Sequence, residues 1–186
     1  MTELFIPLNL FNPRKEILDT DVAKVMNLPG AHPFFNAHNF TLPQSIFDKF
    51  DELGLTISLT KTFLFKLEPN AAGPIHLDGN VVIGKLRPYG FNWAWGAPNT
   101  TMEWFEHNGK AMHREYQGIE IPYFDDTNTT PIGSAILESP NLVNLLHPHR
   151  VVNHTDKFRL CLSVGIDSNL EWNELVTLLA QKQILR

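Results

Sequence analysis

The N-terminal part of the chain places its hydrophobic residues at the spacing of helices. Asn12-Pro13 is a typical helix start, and apolar residues follow at helical spacing until Leu28-Pro29-Gly30 ends the pattern. A second helix is predicted from Pro43 to Leu53, with Gly54 as its C-terminal stop. The stretch from Ala31 to Phe40 between them has no regular period, so we expect a loop there.

From Leu55 onward the period changes to the two-residue alternation of strands, which predicts one long strand running toward Pro69. Short strand-like runs separated by turn signals then follow. These runs are Ile75 to Asp78, Val81 to Leu86, Tyr89 to Trp95, Thr101 to Phe105, Ser134 to Leu137, Val143 to Leu146, Arg150 to Asn153 and Phe158 to Ile166. Many short strands at regular spacing indicate a β-sandwich or a β-barrel.

The pattern closes with an amphipathic helix from Leu170 to Gln183, introduced by the capping residues Asp167-Ser168-Asn169. We therefore predict one mainly β domain over residues 1–186 with flanking helices. Residues 1–54 form a helical support, 55–166 a barrel core and 167–186 the closing helix. The helices would brace one outer face of the barrel and leave its mouth open for a ligand.

Between Glu106 and Ser134 the chain is polar and has little periodicity. Loops of this length within a compact domain are commonly lids or binding loops. We therefore expect this segment to be a loop that recognises the substrate.

Composition narrows the function. With 43% hydrophobic and 19% charged residues the chain resembles a soluble globular protein, and a net charge of -5 argues against nucleic-acid binding. No apolar run is long enough to span a membrane, and the first residues lack the layout of a secretory signal. The single cysteine, Cys161, excludes an internal disulfide and a cysteine-based zinc site. We expect a cytoplasmic protein with neither nucleic-acid nor membrane partners.

Two distant stretches carry candidate chemistry. His76 and Asp78 are two residues apart, so in a strand both side chains leave the same face. Alone the pair is a weak signal, because a strand end with a solvated aspartate gives the same pattern. Of the candidates for a further ligand, His149 is the best placed, directly before the β-branched run Val151-Val152.

The other two candidates are less suitable. Pro148 interrupts any strand through His147, and His154 lies in a polar turn. Two histidines and one carboxylate on one face of a metal ion, with the remaining positions open, are the ligands of non-haem Fe(II) oxygenases. The sequence thus favours His76, Asp78 and His149 as metal ligands and catalytic residues.

Arg159 adds a cation to this set. It begins a strand in which Arg159, Cys161 and Ser163 share one face. A guanidinium inside a barrel needs an anionic partner, because an unpaired buried charge is very costly. Either a dicarboxylate co-substrate or a protein carboxylate on a neighbouring strand would meet that need.

The run from Tyr89 to Trp95 alternates large aromatic with small or polar residues. We expect its aromatic face to pack beneath the N-terminal helices. Lys85 and Arg87, just before this run, would either bind an acidic substrate or, as the stronger interpretation, be solvated charges at a sheet edge.

The set of motifs from Leu55 to Ile166 resembles the 2-oxoglutarate- and Fe(II)-dependent oxygenases, and most of all their aspartyl/asparaginyl β-hydroxylase-like and prolyl-hydroxylase-like branches. The resemblance rests on His76-x-Asp78, on His149 in a His-x-Val-x-Asn setting and on the arginine ten residues beyond it. It implies a double-stranded β-helix, the jelly-roll or cupin-like barrel.

The same resemblance implies particular roles. Iron would be held by His76, Asp78 and His149, and Arg159 would bind the distal carboxylate of 2-oxoglutarate. Asn92, on the small and polar face of its strand, would touch a ligand carboxylate. Family members often carry a serine or threonine two residues after the arginine, which shares the co-substrate carboxylate. This chain has Cys161 there and Ser163 two residues later, so Ser163 is the candidate for that contact.

The implied activity is hydroxylation of a small molecule or a peptidyl side chain, with succinate and CO2 as co-products. Two alternatives stay open. One is a cupin-like metal protein that does not use 2-oxoglutarate, favoured if Arg159 pairs with a protein carboxylate. The other is a non-catalytic ligand-binding barrel. The oligomeric state does not follow from the sequence.

Overall fold

The computed structural model describes residues 3–26, 34–80, 85–116, 119–137 and 140–186. The helices are α1 Arg14–Leu18, α2 Asp21–Met26, α3 Gln44–Leu53 and α4 Trp172–Gln181, with short 3-10 turns at Ala37–Asn39 and Asp126–Asn128. The strands are β1 Phe5–Pro7, β2 Phe34–Asn36, β3 Ile57–Leu67, β4 Ile75–His76, β5 Gly79–Asn80, β6 Lys85–Leu86, β7 Tyr89–Trp95, β8 Thr100–His107, β9 Met112–Tyr116, β10 Ile119–Phe124, β11 Thr129–Ile136, β12 Asn141–Asn144, β13 His149–Asn153 and β14 Arg159–Ile166.

The strands form two six-stranded antiparallel sheets and one small two-stranded sheet, β5-β6. The first sheet has the order β1-β12-β7-β14-β3-β2 and the second the order β11-β8-β13-β4-β10-β9. This architecture confirms the prediction of a mainly β chain with flanking helices. Within residues 1–54 the chain also contributes β1 and β2, which are the two edge strands of the first sheet.

The helices cover the outer face of the first sheet, where they pack against the aromatic residues of β7. Phe91 and Trp93 are fully buried there, and Phe50 of α3 packs edge-on against Phe91 with 4.9 Å between ring centroids. The Trp93 indole donates to the Phe11 carbonyl at 2.8 Å. The alternation of β7 thus places its large aromatics under the N-terminal helices, as the sequence predicts. None of the helices in the described ranges is long and apolar enough to cross a bilayer.

The inner face of the first sheet meets the second sheet, and the two are joined most closely along one side. Trp104 of β8 is fully buried, stacks on Phe5 of β1 with 5.9 Å between centroids and donates from its indole to the Asn144 carbonyl at 3.1 Å. Away from this contact a cavity remains between the sheets. Residues that alternate inward on both sheets therefore line one shared space.

The first predicted helix is two helices, and the prediction of a continuous one is wrong. Thr20 interrupts it: its hydroxyl donates to the Ile17 carbonyl at 2.6 Å and accepts from the Ala23 amide at 3.3 Å. A threonine that bonds to nearby backbone in this way ends one helix and caps the next. The predicted stop at residues 28–30 lies outside the described residues.

The polar segment from Glu106 to Ser134 is not a loop. It contains β9, β10 and most of β11, and β9 is the edge strand of the second sheet. In an edge hairpin both faces carry polar residues, so the hydrophobic alternation on which the prediction relied is weak.

Other predicted elements differ from the structure as well. The predicted loop from Ala31 to Phe40 includes β2, which pairs with β3, and only residues 34–40 of it are described. The closing helix begins at Trp172, with a capping box between Glu171 and Glu174 rather than a cap from residues 167–169. Of the predicted strand from Val81 to Leu86, only β6 lies within the described residues.

Phe50→Ala should destabilise the fold strongly, because it empties a fully buried site between α3 and β7. We expect a loss of about 3–5 kcal/mol in the free energy of unfolding, measured by urea denaturation. The matched control is Phe47→Ala on the same helix, where the ring is only half-buried and a smaller loss follows. Equal losses at both positions would contradict this packing.

Candidate metal centre

Neighbouring strands bring the two histidines together. His76 ends β4 and His149 begins β13, and the two residues face each other directly in the strand pairing. Their ring centroids are 4.6 Å apart. Asp78 follows two residues after His76, at the entry to β5, and the three side chains offer ligand atoms that all lie within 4.8 Å of one another.

Backbone carbonyls fix the orientation of both imidazoles. His76 Nδ1 lies 2.9 Å from the Pro74 carbonyl and His149 Nδ1 lies 3.0 Å from the His147 carbonyl. A carbonyl oxygen only accepts, so each Nδ1 carries the proton and, in the neutral ring, each Nε2 presents its lone pair. A histidine held in this way is the usual form of a metal ligand.

Both lone pairs point at one carboxylate oxygen. Asp78 Oδ1 lies 3.2 Å from His76 Nε2 and 3.6 Å from His149 Nε2. A lone pair and a carboxylate repel each other unless a proton or a metal ion lies between them. Burial lowers the pKa of His76, but the hydrogen bond and charge of Asp78 outweigh burial, so the pKa is raised above its usual value.

A buried arginine holds the other oxygen of Asp78. Arg87 Nη1 donates to Asp78 Oδ2 at 3.1 Å, and the Arg87 side chain is only 4% exposed. Burial raises the pKa of the Asp78 carboxyl, yet the contacts with His149 and His76 and the charge of Arg87 hold it well below its usual range. Burial in turn lowers the pKa of Arg87 despite the neighbouring carboxylate. With Oδ2 occupied by Arg87, Oδ1 is the oxygen that faces the histidines.

The same guanidinium extends the network into the first sheet. Arg87 Nη2 donates to Ser163 Oγ at 2.9 Å, and Ser163 donates in a short hydrogen bond to Asn92 Oδ1. Because Ser163 accepts from the arginine, its proton goes to Asn92 Oδ1. Asn92 lines the cavity, and among the described residues its amide nitrogen has no hydrogen-bond partner. Gly90 makes room for this chain, since a Cβ there would lie 2.8 Å from Arg87 Nη2 and 2.9 Å from Ser163 Oγ.

The site opens into a cavity of about 240 Å³ between the two sheets. Arg159 of β14 lies in its wall, and the residue is only 7% exposed. Among the described residues no carboxylate or other side chain pairs with its guanidinium. The cavity therefore holds a buried positive charge for which the described part of the chain provides no counter-ion.

All six site residues predicted from the sequence line this one cavity: His76, Asp78, His149, Arg159, Asn92 and Ser163. His154 is exposed, with its ring 3.3 Å from the Thr101 hydroxyl, and His147 contributes a backbone carbonyl instead of its ring. Cys161 lies in the wall between Arg159 and Ser163 and is buried. Which of these groups bind a ligand remains a prediction.

Arg87 belongs to this cluster, which the sequence analysis did not predict. Its interpretation as a solvated edge charge is wrong, because the side chain is 4% exposed and contacts Asp78. Gly79 and Asn80 pair with Leu86 and Lys85, and the Arg87 amide donates to the Asp78 carbonyl at 2.9 Å. That pairing carries Arg87 back beside Asp78. The sequence does contain a signal, because the acid Asp78 and the base Arg87 flank the paired strands β5 and β6. That signal can be used only when the register of the two strands is known, and the hydrophobic pattern does not give the register.

Two imidazole nitrogens and one carboxylate oxygen, all within 4.8 Å of one another, form a group suited to a divalent transition metal. The nitrogen and oxygen donors suit first-row transition metals such as iron, zinc, copper or nickel, whereas magnesium and calcium prefer oxygen ligands alone. Chemically, such a site can polarise or activate a molecule that enters the cavity.

Replacing any one of the three donors should abolish tight metal binding. For His76→Ala, Asp78→Ala or His149→Ala we expect affinity for Co(II), followed by its visible absorption, to fall by more than the roughly 10- to 100-fold typical of supporting residues. His154→Ala is the matched control and should keep the affinity of the wild type. A loss in His154→Ala equal to that in His149→Ala would disprove the assignment.

Arg87→Gln should leave the Asp78 carboxylate buried without its cation. We expect the metal-free protein to lose about 3–5 kcal/mol of stability and the metal affinity to fall roughly 10- to 100-fold. Because a bound metal ion compensates part of the carboxylate charge, saturating metal should restore part of the lost stability. Lys49→Gln, which removes an ion pair with Glu52 on α3, is the control and should leave metal affinity unchanged.

Comparisons with family models and with curated proteins give no match. Among solved structures, one that matches is an arginine-to-alanine variant of oxalate decarboxylase from Bacillus subtilis, with 14% sequence identity and a TM-score of 0.32. The match covers 81% of this chain but only 31% of that one, so this chain spans under a third of its length. At this identity and score the likeness assigns neither a family nor an activity, and function has to be argued from the site itself.

Proposed function

We propose that this chain is an Fe(II)- and 2-oxoglutarate-dependent dioxygenase that hydroxylates a small molecule or a peptidyl side chain. In this proposal the two sheets form a double-stranded β-helix, the jelly-roll or cupin-like barrel. Two six-stranded antiparallel sheets with the metal-ligand group in the space between them support that fold.

The proposal rests mainly on the buried position of Arg159 and on its lack of a carboxylate partner among the described residues. A guanidinium that is 7% exposed and lacks a carboxylate partner among the described residues is costly unless a ligand supplies the negative charge. It lines the same cavity as His76, Asp78 and His149 but projects from the opposite sheet. A co-substrate with one end at the metal and a carboxylate at the other would satisfy both groups, and 2-oxoglutarate has that form.

The three ligands would hold iron through His76 Nε2, His149 Nε2 and Asp78 Oδ1. When bound, iron together with 2-oxoglutarate and dioxygen supplies the oxidation that converts 2-oxoglutarate to succinate and CO2 and places a hydroxyl on the substrate. Arg87 holds the second Asp78 oxygen, so that the carboxylate offers one oxygen to the ion. The Pro74 and His147 carbonyls keep both imidazoles in the ligating tautomer.

The remaining cavity residues orient the co-substrate and keep water out. Arg159 would bind its distal carboxylate through two parallel hydrogen bonds, which fix both distance and direction. The free amide hydrogens of Asn92 add a donor on the same wall. Met102, Leu145 and Val151 provide apolar surface that limits the access of water to the metal.

The absence of a carboxylate partner for Arg159 in the described part of the chain also weighs against the first alternative. A cupin-like protein without 2-oxoglutarate would be expected to neutralise this charge internally. A non-catalytic barrel would not explain why two histidines and one carboxylate lie together in the cavity. The oxygenase accounts for both features with one ligand set.

Adding Fe(II) and 2-oxoglutarate without oxygen should produce the weak visible charge-transfer band of the chelate, and oxygen should then yield succinate. Arg159→Gln should weaken 2-oxoglutarate binding about tenfold to a hundredfold, because it removes charge-assisted hydrogen bonds. Lys157→Gln, an exposed cation outside the cavity, is the control and should bind normally. Survival of the band in the double variant His76→Ala with Asp78→Ala would refute the proposal.

A further inference from the structure

The row of metal ligands continues onto the hairpin that forms the edge of the second sheet. His149 pairs directly with His76, and His76 pairs directly with Tyr123 of β10. Residues paired in this way project from the same face of a sheet. Tyr123 therefore lies beside His76 and faces the cavity, whose wall it joins.

The next position outward is a cation. Arg114 of β9 pairs with Ile121, which is two residues from Tyr123 and so shares its face. The Arg114 guanidinium lies over the Tyr123 ring at 5.4 Å from the centroid, and both side chains line the cavity. From a strand separation of about 4.8 Å and a rise of about 3.4 Å per residue, the Arg114 and His76 Cα atoms are about 12 Å apart.

The acidic residues of this hairpin and Arg114 lie on opposite faces of the sheet. Glu115 and Glu120 pair with each other on the face that points away from the cavity, where Glu120 also lies 3.4 Å from His113. No carboxylate among the described residues pairs with Arg114. The hairpin thus turns its acids outward and presents one unpaired guanidinium to the cavity of a protein whose net charge is -5.

We propose that Arg114 is the substrate-recognition residue and that the substrate is a small organic acid with an apolar body. Its carboxylate would pair with Arg114 at the rim, and its body would lie along Ile121 and Tyr123 toward the metal ligands. A cavity of about 240 Å³ suits a small molecule better than a large one. The inference rests on the proposed function, in which Arg159 is occupied by 2-oxoglutarate.

The test separates charge from shape. The protein is loaded with Zn(II), which does not turn over, and saturated with 2-oxoglutarate so that Arg159 is filled. Calorimetry then measures the affinity of phenylalkyl probes of graded chain length, each as carboxylate, primary amide and amine. We expect the wild type to bind the best carboxylate about fivefold more tightly than its amide, the effect of one exposed ion pair.

The variants show whether Arg114 causes the preference. Arg114→Gln should bind carboxylate and amide equally, and Arg114→Glu should prefer the amine. Lys110→Gln removes the same charge from an exposed position outside the cavity and should behave as the wild type. A wild type without preference for the carboxylate at any length, or a preference that survives in Arg114→Gln, overturns the inference.

Two further arms distinguish the outcomes. If a capped peptide with an internal glutamate binds and none of the small acids does, the small-molecule assignment is wrong. The 2-oxoglutarate titration of the same samples reports on Arg159 alone. If 2-oxoglutarate fails to bind while an Arg114-dependent preference is present, the proposed function is wrong and the anion site at Arg114 is supported. If 2-oxoglutarate binds but the preference is absent, only the anion site at Arg114 is wrong.

Discussion

The contact between Arg87 and Asp78 is the constraint on which the site depends. The Asp78 carboxylate faces two imidazoles in a mostly buried position. Its contacts with both imidazoles, together with the guanidinium at 3.1 Å, keep it ionised. The same guanidinium reaches Ser163 on the opposite sheet at 2.9 Å. One side chain therefore helps to keep the carboxylate ionised and also ties the two walls of the cavity together, so the chemistry and the spacing of the sheets are linked.

The first sheet can support this site because its central strands have two different faces. On β7 and β14 the residues that point outward, such as Phe91 and Leu162, are fully buried beneath the helices. The alternate residues, Asn92 and Ser163, are polar and face the cavity. The apolar layer provides the rigidity, and the polar layer carries the binding groups. Each strand is thus anchored on one side, which fixes the direction of its side chains on the other.

Much of the site follows from strand alternation alone. The two-residue spacing of His76 and Asp78 predicts that they lie together, and they do, although β4 ends at His76 and Asp78 lies in the bend that follows. Arg159 stands out because a charged residue opens an otherwise apolar strand. The boundaries of β7 follow from its aromatic alternation in the same way. These features are local, and a local period is what a sequence displays directly.

The rest depends on contacts between segments that the sequence does not reveal. Arg87 becomes a partner of Asp78 only through the register of β5 and β6, and the role of Thr20 depends on its competing hydrogen bonds. The hairpin of β9 and β10 escapes detection because both of its faces carry polar residues. In each case a tertiary or side-chain interaction overrides the propensity that the pattern displays.

Gly90 gives this arrangement an evolutionary signature. Any larger residue there would displace the buried guanidinium or the hydroxyl that receives it, since both lie within 3 Å of where the new atom would be placed. A homologue that has lost glycine at this position must also have rebuilt the bridge between the sheets. Joint variation at positions 78, 87, 90 and 163 would therefore separate chains that retain this internal cation from chains that have abandoned it, without any knowledge of the substrate.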